Sequence, residues 1–158
     1  MHEVPSSNSE LVVQGDFEAF SPQELFDYWV TPSLITQWWC EVAVIRPCHD
    51  GDFTLSWPKI GWELKGRYTE FDPPSKLAFT WKWNHDIEDR AALSVALSFD
   101  PVLSGGTLLT ITHGPYSDDP EDQAARKGHL EGWIHFCMKL ASLRPGGQDS
   151  ENLLEAEA

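Results

Sequence analysis

GRYTEFDPPSKLAFTWKW, residues 66–83, holds the pattern that decides the fold. Beyond the break at Asp72-Pro73-Pro74-Ser75, Leu77, Phe79, Trp81 and Trp83 alternate with Ala78, Thr80, Lys82 and Asn84. Period two with large apolar side chains on one face is the mark of a strand that sets one side against a core. So abrupt a turn between two extended runs implies antiparallel neighbours.

Working outward, the same pattern recurs on both sides. Upstream, residues 62–71 read as a strand, set off by a turn at 58–61. Before it, residues 52–57 place Phe53, Leu55 and Trp57 on one face, entered through the tight Asp50-Gly51 turn from a strand at 41–46. Downstream, Leu93, Val95, Leu97 and Phe99 alternate with small polar residues. Ser104-Gly105-Gly106 then turns the chain into Leu109, Ile111 and His113. Residues 11–20 supply one more strand near the N-terminus. It is followed by Ser21-Pro22-Gln23-Glu24, a capping box with proline at the first helical position. That helix runs through Leu25, Phe26 and Trp29, and Thr31-Pro32 restarts a short second one through Leu34, Ile35 and Trp38. A long helix begins at Asp119-Pro120, with Asp119 as the expected cap, and ends near Leu143 before Arg144-Pro145-Gly146-Gly147. Its apolar positions include Ala125, Trp133, Phe136 and Leu140, with Leu130, Ile134, Cys137 and Ala141 broadening the stripe. Such width predicts a helix nearly surrounded by sheet. The order is α+β, a helix-grip fold in which a curved antiparallel sheet wraps a long C-terminal helix, with two short helices after the first strand. The expected organisation is a flexible N-terminus at 1–10, one domain at 11–143 and an acidic flexible tail at 144–158.

Composition limits the function classes. The chain has 158 residues and a net charge of −14, from 25 acidic and 11 basic side chains. That balance repels nucleic acid and anionic membrane surfaces. Three cysteines without a C-x-x-C pair fit neither a disulfide framework nor a zinc knuckle. Residues 1–10 lack an apolar run, which reads as no signal peptide, and a cytoplasmic protein is expected. Eight tryptophans and eight phenylalanines favour a large core, an aromatic-lined pocket, or both.

These residues resemble the bacterial homologues of the activator of heat-shock-protein-90 ATPase, within the START-like, Bet v 1-like (SRPBCC) superfamily. The resemblance rests on S-P-x-E-L-F at 21–26, T-P-x-L-I-T-Q-W-W at 31–39, G-D-F at 51–53 and the 66–83 stretch. It extends through G-G-T-L-L-T-I-T-H at 105–113 and G-H-L-E-G-W at 128–133. It implies a helix-grip domain with an internal cavity. The eukaryotic activator resembles a two-domain protein whose N-terminal domain makes the principal chaperone contact. Too few residues precede the first strand here for such a domain, so ATPase activation is not carried over by name.

The candidate ligand-binding residues are the aromatics Trp38, Phe53, Trp57, Trp81, Trp83, Trp133 and Phe136, each of which could equally be core packing. His113 continues the inward register of Leu109 and Ile111, and His129 lies one helical turn before Trp133 on the same face. Tyr68 is a further candidate, with Arg67 as the alternative inward residue. His129, Glu131 and His135 do not have the spacing of a zinc site. No cofactor motif and no nucleophile elbow occurs, so no cofactor, metal or catalytic residue is expected.

Three functions remain open. The first is binding of an apolar or aromatic small molecule in a closed pocket above roughly 300 Å³, reached near residues 31–40 and the loop at 85–90. The second is a co-chaperone-like protein-interaction module of the stress response, as monomer or homodimer. The third is a cyclase-like or hydrolase-like enzyme using His113 or His129.

Overall fold

The computed structural model describes residues 1–86 and 91–145. Their strands are β1 (His2–Val4), β2 (Leu11–Phe17), β3 (Val42–Ile45), β4 (Asp52–Trp57), β5 (Trp62–Asp72), β6 (Lys76–Trp83), β7 (Leu93–Pro101) and β8 (Thr107–Gly114). The helices are α1 (Pro22–Val30), α2 (Pro32–Ile35) and α3 (Pro120–Ala141). All strands join one sheet in the order β1-β2-β8-β7-β6-β5-β4-β3, and every pairing is antiparallel. This is the α+β helix-grip fold.

The alternation in β6 sets the register. Leu77 lies opposite Leu97 of β7 and Phe71 of β5, and Phe79 opposite Val95 and Tyr68, so each inward residue meets an inward partner. A β-bulge between Tyr68 and Glu70 interrupts the β5–β6 ladder and bends β5. At Gly66 the sheet has no room for a side chain. A Cβ there would strike the Thr80 carbonyl and the Phe53 ring, so only glycine lets β5 pass beneath Phe53.

Helix α1 begins as the capping box requires. The Glu24 N–H donates to Ser21 Oγ at 3.2 Å, and the Ser21 N–H donates to Glu24 Oε1 at 2.9 Å. Leu25, Phe26, Tyr28 and Trp29 are buried beneath it. Ser21→Ala should therefore cost about 1 kcal/mol, read as a lower urea midpoint at unchanged m-value.

Three expectations need correction. Residues 2–4 are not loose. They form β1, paired to residues 12–14 of β2, and Arg126 of α3 fastens the segment by donating to Glu3 Oε2 at 2.9 Å and to the Glu10 carbonyl at 3.0 Å. Asp119 occupies the N-cap of α3 but its side chain caps nothing. Asp122 Oδ2 instead accepts from the Ser117 N–H at 2.8 Å. Helix α3 is not nearly surrounded, since it buries only Trp133, Cys137 and Leu140. Of the two alternatives on β5, the candidate Tyr68 is the inward residue, buried where Arg67 is exposed. The acidic tail from residue 146 on, and positions 87–90 of the expected loop, lie outside the described residues.

Candidate functional site: an aromatic cleft beneath the C-terminal helix

Helix α3 presents Ala125, Gly128 and Gly132 towards the sheet, at a spacing that keeps them on one helical face with His129, Trp133 and Phe136. Small residues there hold the helix backbone next to open space. A Cβ built on Gly128 or Gly132 meets nothing within 4 Å. Opposite them lies a cleft of about 350 Å³.

Tryptophan makes most of its wall. Six of the eight, Trp39, Trp57, Trp62, Trp81, Trp83 and Trp133, line this one space. Trp57 of β4 and Trp62 of β5 are direct cross-strand partners, because the 3₁₀ turn Pro58–Ile60 reverses the chain between them. Trp39 stacks on Trp81 at 5.8 Å and 25° and meets Trp133 at 5.3 Å. Trp83 lies edge-on to Trp81 at 5.5 Å and to Trp62 at 5.3 Å. Trp39 is fixed through its carbonyl, which accepts from Trp57 Nε1–H at 2.8 Å. Such a network of offset and edge contacts leaves the rings little freedom to collapse into the space.

The mouth is at the rim formed by Ile60 and Trp62, which are 58% and 45% exposed. The pocket expected to be closed is therefore open here, because the turn at 58–60 ends at the margin of the wall. Among the lining residues only His129 is polar, and none is lysine or arginine.

Behind His129 lies a polar cluster. The Tyr116 hydroxyl is 2.7 Å from His129 Nδ1, and the His129 ring stacks on His113 at 4.4 Å and 13°. Trp133 Nε1–H donates to His113 Nδ1 at 3.0 Å. Burial pushes the His129 imidazole down to about 4, partly opposed by the Asp86 carboxylate. His113 is held well below its ordinary value by burial and then by His129. Both rings are neutral at pH 7. The Tyr116 phenol is raised by burial, with Arg126 opposing and Asp122 adding to the shift.

The ten sequence candidates divide. Trp57, Trp81, Trp83, His129, Trp133 and Phe136 line the cleft. His113 is fully buried behind it. Trp38 faces away, its Nε1–H donating to the Tyr28 carbonyl at 3.0 Å in the core. Phe53 and Tyr68 sit at the other end of the same concave face, against a void of about 10 Å³ that is too small for a ligand. Trp39, Ile60 and Trp62 of the wall were missed, as were Gly128 and Gly132 of α3.

Nothing else among the described residues suggests different chemistry. No group of three His, Cys, Asp or Glu side chains could hold a metal. Burial raises the Cys40 and Cys137 thiols to about 12, which leaves no thiolate at neutral pH. No helix among the described residues is long and apolar enough to cross a membrane.

Comparison with known proteins places the chain. A search of curated proteins finds no match. Among solved structures, a protein from Mesorhizobium loti is 23% identical, covering 84% of this chain and 93% of its own, with a TM-score of 0.72. The Aha1 dimer from Colwellia psychrerythraea is 13% identical over 86% of this chain and 96% of its own, TM-score 0.72. An HSP90 activator from Plasmodium falciparum is 19% identical over 80% and 91%, TM-score 0.62. At such identities these likenesses bear on the fold alone. The sequence profile of the Activator of Hsp90 ATPase homolog 1-like proteins matches residues 19–144, and the chain belongs to that family.

Proposed function

We propose that the protein binds an apolar, aromatic small molecule in the cleft between α3 and strands β4–β6. The observation that carries this is the gathering of six of eight tryptophans around one space of about 350 Å³. That volume falls in the range of roughly 300–1,000 Å³ typical of ligand pockets, which are apolar with few polar groups. Two glycines inside a helix add support. Each costs about 1 kcal/mol relative to alanine, yet neither is needed to avoid a clash. Their effect is to keep the space open.

Native mass spectrometry of the purified protein, with a thermal-shift screen of fatty acids, flavonoids and polyketide-like aromatics, tests the proposal. A ligand at a hundred times its Kd stabilises the folded state by about 2.7 kcal/mol, so a saturating rise in melting temperature is expected. No bound mass and no rise with any compound would count against it.

A second reading has one observation in its favour. Val42 and Val44 on β3, an edge strand that pairs only with β4 among the described residues, are 47% and 66% exposed, a surface suited to a protein partner. The family description and the Plasmodium activator make a chaperone the first partner to try. If this reading holds, adding purified heat-shock protein 90 shifts the backbone amide resonances of residues 42–45 and leaves the cleft tryptophans unmoved.

A further inference from the structure

The hydrogen bonds beside the cleft fix which imidazole nitrogens carry protons. An indole N–H can only donate, so the bond from Trp133 Nε1–H makes His113 Nδ1 the acceptor. In the neutral ring the proton then sits on Nε2. Tyr116 is 4% exposed, and His129 Nδ1 is the hydrogen-bond partner of its hydroxyl. With the proton on Nδ1, the phenolic O–H would be buried with nothing to donate to, which is the costlier arrangement. Tyr116 therefore donates, and His129 too carries its proton on Nε2.

That Nε2–H makes no hydrogen bond among the described residues, although His129 lines the cleft. His113 Nε2 and Trp81 Nε1 are buried and also unpartnered. The Trp81 ring touches both imidazoles, at 4.6 Å and 5.4 Å. Three N–H donors, one on the lining residue His129 and two on buried atoms of His113 and Trp81, thus lie together without a hydrogen-bond partner. The Asp86 carboxylate, which shares an adjoining pocket with His129 and Trp81, accepts from the Trp83 N–H instead. The net charge of −14 and the absence of lysine and arginine from the lining disfavour an anion. A neutral acceptor remains.

Resting on the reading of the cleft as a ligand site, we propose that its ligand is a planar aromatic ketone or quinone-like compound. Its carbonyl oxygen accepts from His129 Nε2–H, and Tyr116 is the positioning residue that fixes the tautomer. Amines and other pure donors are rejected, because they would leave these N–H groups unpaired.

The test compares 9-fluorenone with fluorene, which differ by a carbonyl in place of a methylene, by calorimetric titration. The wild-type protein should bind the ketone about tenfold more tightly. In His129→Phe the ratio should fall to about one. In Tyr116→Phe it should fall part of the way, while the ¹⁵N resonances of the His129 ring move from a single Nε2–H tautomer to a mixture. Should His129→Phe fail to fold, the wild-type ratio and the wild-type ring tautomers decide. Equal affinities in the wild type, or a preference that survives His129→Phe, would overturn the carbonyl inference and leave apolar binding standing. Binding of neither compound would overturn the ligand site itself, and this inference with it.

Discussion

Replacing Gly128 and Gly132 together by alanine is expected to make the protein more stable, and replacing them by leucine to close it to ligands. Both lie inside α3, where glycine costs about 0.8–1 kcal/mol relative to alanine. A methyl at either position meets nothing within 4 Å, so the helix gains without a clash. The double alanine variant should be roughly 1.5–2 kcal/mol more stable, which raises Tm by about 3–8 °C in a domain of this size. Leucine at the same positions projects into the 350 Å³ space. A ligand forced to crowd against each leucine loses on the order of 1–3 kcal/mol per site, about tenfold to a hundredfold in affinity. Stability and binding thus move in opposite directions. Were the glycines required for packing, the alanine variant would melt lower, and urea unfolding beside a titration of the leucine variant separates the two cases.

Acidification below about pH 6.5 should destabilise the protein through two buried histidines. His113 is held well below its ordinary value by burial and by His129, and His129 is pushed down to about 4 by burial. The groups around them are Trp81, Trp133 and Tyr116, with Asp86 favouring the charged form of His129. In the unfolded chain both rings take up protons near pH 6.5; in the folded chain they do not until the pH is far lower. Below 6.5 the unfolded state binds more protons. The stability contributed by the neutral buried rings is therefore complete above that pH and is lost as pH falls from 6.5 towards 4. Each imidazole contributes a slope of about 1.4 kcal/mol per pH unit, so the pair approaches roughly 3 kcal/mol per unit. Urea midpoints at pH 7.5, 6 and 5 should fall accordingly, and His129→Phe should about halve the slope. A flat profile between pH 6.5 and 5 would mean that the rings are not buried in neutral form.

The fold was legible because its signals are local. Alternation over residues 77–83 fixes β6 and, with its flanking turns, the antiparallel neighbours. The Ser21–Glu24 box fixes the start of α1 by two hydrogen bonds made within four residues. Strand β1 was not legible, since none of its residues is buried. It exists through backbone pairing and through Arg126, which is distant in sequence.

The site was half legible. Phe53, Leu55 and Trp57 share a face by alternation, but only position along the strand decides that Trp57 reaches the cleft while Phe53 fills the far end. Between Trp38 and Trp39 no period could choose. They follow a helix of four residues, too short to define a face, and a rotation of one residue exchanges core for cleft. Gly128 and Gly132 were passed over because counting apolar side chains, which does register Ala125, does not register space left by missing ones. Their spacing relative to Trp133 was the available clue.

The most direct test reads the eight indole N–H resonances in a ¹H–¹⁵N spectrum during titration with fluorene. If the cleft binds apolar aromatics, the resonances of Trp39, Trp57, Trp62, Trp81, Trp83 and Trp133 shift together and saturate. Those of Trp29 and Trp38, which do not line the space, stay nearly still. No shift at saturating fluorene, or shifts centred on Trp29 and Trp38, would contradict the cleft as the binding site.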